Sequence, residues 1–180
     1  MFKKILIGVG VVILVFVIVV ATRPADFRVS RSASIAAPQP AVFAQVNDFR
    51  RWEAWNPWGK IDPTMKQTYE GAPAGKGAIY NWVGNKQVGE GRMTITESRP
   101  HDLILINLEF FKPMPGVCLT EFTFKPEGNE ATAVTWTMTG KHNFIAKGMA
   151  LFMDMDKMIG DQFEKGLAAM KSTVESAPKL

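Results

Sequence analysis

Residues 144–174 read FIAKGMALFMDMDKMIGDQFEKGLAAMKSTV, and the period of this stretch decides the fold. Phe144, Met149, Phe152, Met155, Met158 or Ile159, Phe163, Leu167, Met170 and Val174 recur at steps of three and four. Lys147, Asp154, Lys157, Asp161, Glu164, Lys165 and Lys171 fall mostly between them. That pattern predicts one amphipathic helix of about 30 residues, about 45 Å long. Its apolar stripe must be buried against something, and a helix of this length can cross a whole sheet.

The sheet is legible upstream. Phe27 to Ile35 (FRVSRSASI) alternates apolar and polar residues at the period of a half-buried strand. Pro38-Gln39-Pro40 stops it, Pro40 opens a short helix through Val46, and Phe49 to Trp55 makes a second one that ends at Asn56-Pro57. Six further strands follow: Met65–Tyr69, Ala78–Val83, Gln87–Glu97, Leu103–Phe111, Val117–Phe124 and Ala131–Thr139. Turn residues separate them, among them Gly84-Asn85 and Pro126-Glu127-Gly128-Asn129, so one antiparallel meander is expected. Gly89 and Gly91 inside the third of these strands predict a bulge, which could turn Glu90 or Arg92 inward.

Alternation assigns the faces. Ala78, Tyr80 and Trp82 share one side, as do Met93 and Ile95, or Ile104, Ile106, Leu108 and Phe110. Cys118, Thr120, Phe122 and Phe124 continue it, followed by Val134, Trp136 and Met138. The opposite sets, such as Arg92, Thr94, Glu121, Thr135 and Thr137, suit water. The economical packing lays the long helix across the apolar side of a curved antiparallel sheet, an α+β architecture closed at one end by the two short helices.

At the other extreme of the chain, Ile5 to Ala21 contains no charged or hydrogen-bonding side chain. As a helix these 17 residues span about 25 Å, close to the hydrocarbon core of a bilayer. A transmembrane anchor over residues 1–22 is the expectation. A cleaved signal sequence competes with it, although Val19-Val20-Ala21 fits a small-x-small cleavage site poorly. Lys3 and Lys4 favour a cytoplasmic amino terminus, diluted by Arg23, Arg28 and Arg31 on the other flank. The expected product is a single-pass protein of the cell (inner) membrane: a tether at residues 23–26, then a domain at 27–177 on the outer, periplasmic side.

Composition excludes several classes. The net charge of +4 misleads, because outside the leader and tether 18 basic side chains face 16 acidic ones. A nucleic-acid binder needs a concentrated basic face, so none is expected. The single cysteine, Cys118, rules out an intramolecular disulfide and a multi-thiolate zinc site. Asp154, Asp156 and Asp161 lack the loop spacing of a calcium site, and neither metal nor cofactor is expected. His101 and His142 belong to no triad, and Cys118 reads as a small core thiol rather than a nucleophile.

The stretch Arg31-Ser32-Ala33-Ser34-Ile35-Ala36-Ala37-Pro38 with Val42-Phe43 carries a family likeness. It continues through Asn47-Asp48-Phe49-Arg50-Arg51-Trp52-Glu53-Ala54-Trp55-Asn56-Pro57-Trp58, Gly75-Lys76-Gly77-Ala78, Glu97-Ser98-Arg99-Pro100, Trp136 and Met153-Asp154-Met155-Asp156-Lys157-Met158. The chain resembles the START/birch-pollen-allergen (SRPBCC) superfamily, and more closely its membrane-anchored bacterial polyketide cyclase-like members. The resemblance implies a helix-grip fold, with a curved seven-stranded sheet wrapped on the carboxy-terminal helix and a hydrophobic pocket between them. One such fold hosts carriers, sensors, cyclases and hydrolases, so it implies no particular reaction.

A pocket of that kind would be lined by the inward residues Tyr80, Trp82, Met93, Ile95, Ile106, Leu108, Phe110, Thr120, Phe122 and Trp136, with Met155, Met158 and Ile159 from the helix. Trp52, Trp55 and Trp58 would wall its mouth, their indole N–H groups orienting a ligand, or would simply plug the open end of the sheet. The inward sets contain no charged group, which leads to a non-catalytic carrier for a lipid, quinone or isoprenoid-like molecule. A cyclase- or hydrolase-type enzyme is the alternative and needs an inward ionisable group. A structural module acting through protein contacts is a further alternative, and no protein partner is specified.

Overall fold

The computed structural model describes residues 2–128 and 130–177. Helix α1 covers Phe2–Thr22, β1 Asp26–Ile35 and α2 Gln39–Asn47, followed by a 3-10 helix at Phe49–Ala54 and α3 at Pro57–Ile61. The strands β2 Lys66–Gly71, β3 Ala78–Val83, β4 Glu90–Arg99, β5 Leu103–Lys112, β6 Gly116–Glu127 and β7 Ala131–Lys141 come next. Helices α4 (Phe144–Met149) and α5 (Met155–Glu175) end the chain. The strands form one antiparallel sheet ordered β1-β7-β6-β5-β4-β3-β2. Consecutive strands β2 to β7 therefore neighbour one another, while β1 returns to pair with β7 from Asp26↔Lys141 to Ile35↔Thr132. Of the turn expected between β6 and β7, Asn129 lies outside the described residues.

Helix α5 straps this first strand. Arg31 of β1 reaches over α5 at Gly160, where a Cβ would run into its guanidinium, and pairs with Asp156 and Glu164 at 2.9 Å each. Further along, the Ala36 backbone N–H donates to Glu175 and Lys171 donates to the Ser34 carbonyl. The helix thus runs beside β1 in the same direction and covers an edge that would otherwise offer unpaired backbone groups. A second tie fixes the far hairpins. Asp62 accepts from the Thr64 hydroxyl, the Thr64 N–H and the Asn85 N–H, joining the α3–β2 and β3–β4 turns. These donors, the Thr64 hydroxyl first, hold its carboxyl below the usual range.

Three expectations change. The carboxy-terminal helix is not continuous: residues 150–154 interrupt it. Asn143 caps α4 by accepting from Ala146 N–H, and Asp154 caps α5 by accepting from Lys157 N–H. Apolar residues keep their spacing through the break, so periodicity alone does not reveal it; the cap residues do. Asn56-Pro57 ends the 3-10 helix and also opens α3, with Asn56 as the cap and Pro57 in the first turn. Thr137, assigned to the wet face, is buried because Ser30 and Arg28 of β1 cover it, the Ser30 and Thr137 hydroxyls meeting at 2.8 Å.

The bulge expected near Gly91 is present as a register shift between Glu90 and Gly91, and a second shift lies between Ile95 and Glu97. Gly91 has a packing reason to be glycine. A Cβ there would overlap the Trp82 ring and the Glu109 carbonyl oxygen. Gly91→Ala is accordingly expected to lower Tm by about 5–10 °C, as overpacking against backbone costs about 1–3 kcal/mol. Gly116→Ala, with open space around it, should leave Tm unchanged or slightly raised. Thermal denaturation of the full chain in mild detergent reads both.

Candidate functional site

Strand register lays the concave face out in rows. One row runs Ile104–Phe122–Trp136 and the next Ile95–Ile106–Thr120–Met138, each across neighbouring strands. A third contains Tyr80, Met93, Leu108 and Cys118, and the last brings Trp82, Gly91 and Phe110 together. Exposure rises along this order. Ile104, Ile106 and Phe122 are fully covered, whereas Leu108, Phe110 and Cys118 are half-buried.

The covered rows are filled by rings. Trp136 is sandwiched between Phe122 at 4.9 Å and Phe163 of α5 at 4.0 Å, the latter nearly parallel at 7°. Trp52, Trp55 and Trp58 stand edge-on to it at 6.2, 5.7 and 5.8 Å. Gly166 lets α5 come this close, since a Cβ would sit 3.0 Å from the Trp136 ring and 3.2 Å from Pro57. Offset and T-shaped ring pairs of this kind are each worth about 0.5–1.5 kcal/mol beyond their buried area.

The expected lining residues are therefore brought together, but as packed core rather than as the wall of an open chamber. Trp52, Trp55, Tyr80, Trp82, Met93, Ile95, Ile106, Thr120, Phe122 and Trp136 are all buried. Trp58, Leu108, Phe110, Met155 and Ile159 are half-buried at the rim. Met158 is 45% exposed, against the expectation, because the inward stripe of α5 runs Met155–Ile159–Phe163–Leu167–Met170 and leaves Met158 at its edge. Two hollows among the described residues lie elsewhere. One of about 100 Å³ sits between the end of α1 and α4, lined by Arg23, Pro24, His142, Lys147, Ala150 and Leu151. The other is a shallow open depression by Arg28, Asn107, Leu119 and Thr139.

The indole N–H groups of Trp52 and Trp55 are not free to orient a ligand. They donate to the carbonyls of Val46 and Gln45, at 3.0 and 3.2 Å. Those carbonyls belong to the last turn of α2, which has no intrahelical donors for them. Trp82 likewise donates to Val88. Trp136 differs: its Nε1 is buried and has no hydrogen-bond partner, the one such side-chain atom among the described residues. A buried N–H left unpaired costs about 1–3 kcal/mol. Sequence periodicity placed Trp136 inward but carried no sign that its donor is orphaned, because the partners of Trp52, Trp55 and Trp82 are set by tertiary approach.

Ionisable groups are scarce here. Burial pushes the Tyr80 phenol far up, and burial likewise raises the Cys118 thiol. Both are neutral at physiological pH. Arg92 donates to Asn81 on the face opposite Met93, and Glu90 is paired with Lys112 at 2.8 Å at the strand's end, so the bulge brings neither into the core. No group of three or more His, Cys, Asp or Glu able to hold a metal occurs among the described residues.

Residues 26–175 match the family described as polyketide cyclase/dehydrase and lipid transport. The chain belongs to this family. Solved structures agree on the fold. A Thermobifida fusca protein solved by NMR superposes with TM-score 0.62 at 22% identity, over 82% of this chain and 92% of that one. A Thermus thermophilus protein gives 0.61 at 18% (85% and 100% covered), and a Chromobacterium violaceum protein 0.59 at 16% (86% and 100%). At these identities the likeness speaks for the fold alone. No curated protein shows significant sequence similarity to the chain.

The half-buried state of Cys118 makes a prediction. Because its thiolate is disfavoured, alkylation by iodoacetamide at neutral pH should be slower than that of a free cysteine. Its rate should still climb at pH values where an ordinary thiol has levelled off. A stopped-time mass-spectrometric assay across alkaline pH measures this, and an early plateau would contradict the desolvated setting.

Proposed function

We propose that this family member is a membrane-anchored binding module for a hydrophobic or amphipathic small molecule of the lipid, quinone or isoprenoid class, and performs no chemistry itself. The anchor is α1, an apolar helix of 21 residues with a mean hydropathy of 3.2 over its best window. Lys3 and Lys4 would keep its start cytoplasmic, with the tether at 23–26 and the domain, 27–177, on the periplasmic face of the inner membrane.

One observation carries the binding reading: the concave face, whose charged side chain Arg31 opposite Trp136 is taken up by Asp156 and Glu164 of α5, contains a buried donor, Trp136 Nε1, that the protein itself leaves unsatisfied. An apolar ligand with one acceptor oxygen would complete it. Because the interior is filled, room must come from the rim. There Met155 and Ile159 of α5 are half-buried, as are Leu108 and Phe110 towards one end of the sheet. Parting α5 from the sheet at that end would open a path, and desolvating the ligand's apolar surface would contribute roughly 25 cal/mol per Å². An enzyme reading is weakened by the same set of residues, since Tyr80 and Cys118 are both held in their neutral forms.

A structural module acting through protein contacts is the second reading, and the ring-filled interior is the observation that favours it. Native mass spectrometry of the full chain, extracted in mild detergent, separates the two. The binding reading expects a retained lipid-sized adduct that Trp136→Phe weakens about fivefold, one hydrogen bond being worth about 1 kcal/mol. Absence of any adduct from the wild type would favour the module, and an adduct indifferent to Trp136→Phe would remove Trp136 as the handle.

A further inference from the structure

The exposed large apolar side chains of the domain are not scattered. Antiparallel pairing puts Asp26, Lys141, Gly116, Lys112, Glu90, Val83 and Lys66 at one end of the sheet. Most exposed large hydrophobic side chains after Ile61 belong to that end or to the segment that leaves it, among the described residues; Leu119, opposite Asn107 within the sheet, and Met158 of α5 lie apart. Val83, Phe111 and Val117 are 50, 48 and 60% exposed, and Ile145 and Phe152 reach 62 and 80%. The turns at the opposite end, 71–77, 99–102 and 127–131, carry none. Single exposed apolar residues are ordinary; their concentration at one end is not.

That end is also where α1 leaves the domain. Phe152 stacks on Phe16 of α1 at 6.5 Å and 23°. Gly148 of α4 brings α4 against Phe16 and Val20, a Cβ there lying 3.8 and 3.9 Å from them, and Val20 is fully buried. Lys147 extends towards the Ala21 carbonyl at 3.5 Å. Phe16 lies five residues inside the end of the apolar stretch, which is about 7.5 Å along the helix axis. If α1 spans a bilayer, the side chain packed on Phe16 shares that depth.

We propose that residues 144–153, with the sheet end beside them, form a second membrane contact that lies in the lipid interface next to the span. The occupant is a phospholipid surface. Helix α4 buries none of its own residues in the protein, and from Lys141 to Met153 the chain has basic but no acidic side chains, as anionic headgroups favour. The domain then stands with its apolar end on the bilayer and its polar turns away from it. The half-buried residues Phe110 and Leu108 lie towards the same end, so a ligand would exchange with lipid rather than with water. This rests on reading α1 as a span.

Depth-dependent quenching distinguishes the parts. The full chain, in a Cys118→Ser background, carries an NBD label on Phe152→Cys, on Leu14→Cys within α1, or on Lys76→Cys in a distal turn. Each form is reconstituted into vesicles of three parts phosphatidylcholine to one part phosphatidylglycerol, with and without doxyl-labelled lipid. The proposal expects blue-shifted emission and loss of intensity with doxyl lipid at positions 152 and 14, and neither at 76. Quenching at 14 but not at 152 overturns the docking face and leaves the span. Quenching at 152 but not at 14 overturns the span and with it a contact placed beside the span. Quenching at neither overturns both.

Discussion

The stack of Phe122, Trp136 and Phe163 holds the molecule together. It is the place where the sheet and α5 touch ring on ring, and it is reached because Gly166 removes the side chain that would keep them apart. The short helices owe their position to the same stack. Trp52, Trp55 and Trp58 stand edge-on to Trp136, and the first two carry the last turn of α2 on their indole N–H groups. Removing one ring of such an array leaves the others without faces to pack on, which is how a cavity propagates in a close-packed interior.

Tight packing at one end makes the other end different. The grip of α5 is aromatic at Phe163 and aliphatic at Leu167 and Met170, all covered. Towards its start it depends on Met155 and Ile159, only half-buried, and on the Arg31 pairs with Asp156 and Glu164, whose carboxylates are exposed. Exposed ion pairs of this sort orient more than they stabilise. The chain thus combines a closed core remote from α1 with a looser, greasy end beside it. The family is described as polyketide cyclase/dehydrase and lipid transport, and the covered face of this chain presents apolar surface and one unpaired donor.

Most of the architecture was legible from periodicity. The alternation of Val134, Trp136 and Met138, or of Thr120 and Phe122, predicted the covered face correctly because side-chain direction in a strand is fixed by the backbone. Position along the sheet was less legible than face. Whether Leu108 lies under a helix or at a rim depends on how far α5 extends, and that depends on Asp154 acting as a cap in the middle of an unbroken apolar pattern. Thr137 escaped because burial by the partner strand's Ser30 and Arg28 has no local signature. Most residues of the candidate site were expected to face inward and are buried together, but as packed core rather than around an open space. Side-chain volumes decide whether a concave face encloses a chamber or a core, and here five tryptophans and their phenylalanine neighbours fill it. The contact between Phe16 and Phe152 joins segments 136 residues apart and no periodicity could disclose it.

The central claim is that α5 is clamped at its carboxy-terminal half by the ring stack and held loosely where it begins. Hydrogen–deuterium exchange of the full chain in lipid nanodiscs tests this directly. The account predicts that amides of residues 163–174 exchange at the slow rate of β6 and β7, while those of 158–161 exchange much faster through local opening. Uniform exchange along α5, or opening that begins at Phe163, would contradict it.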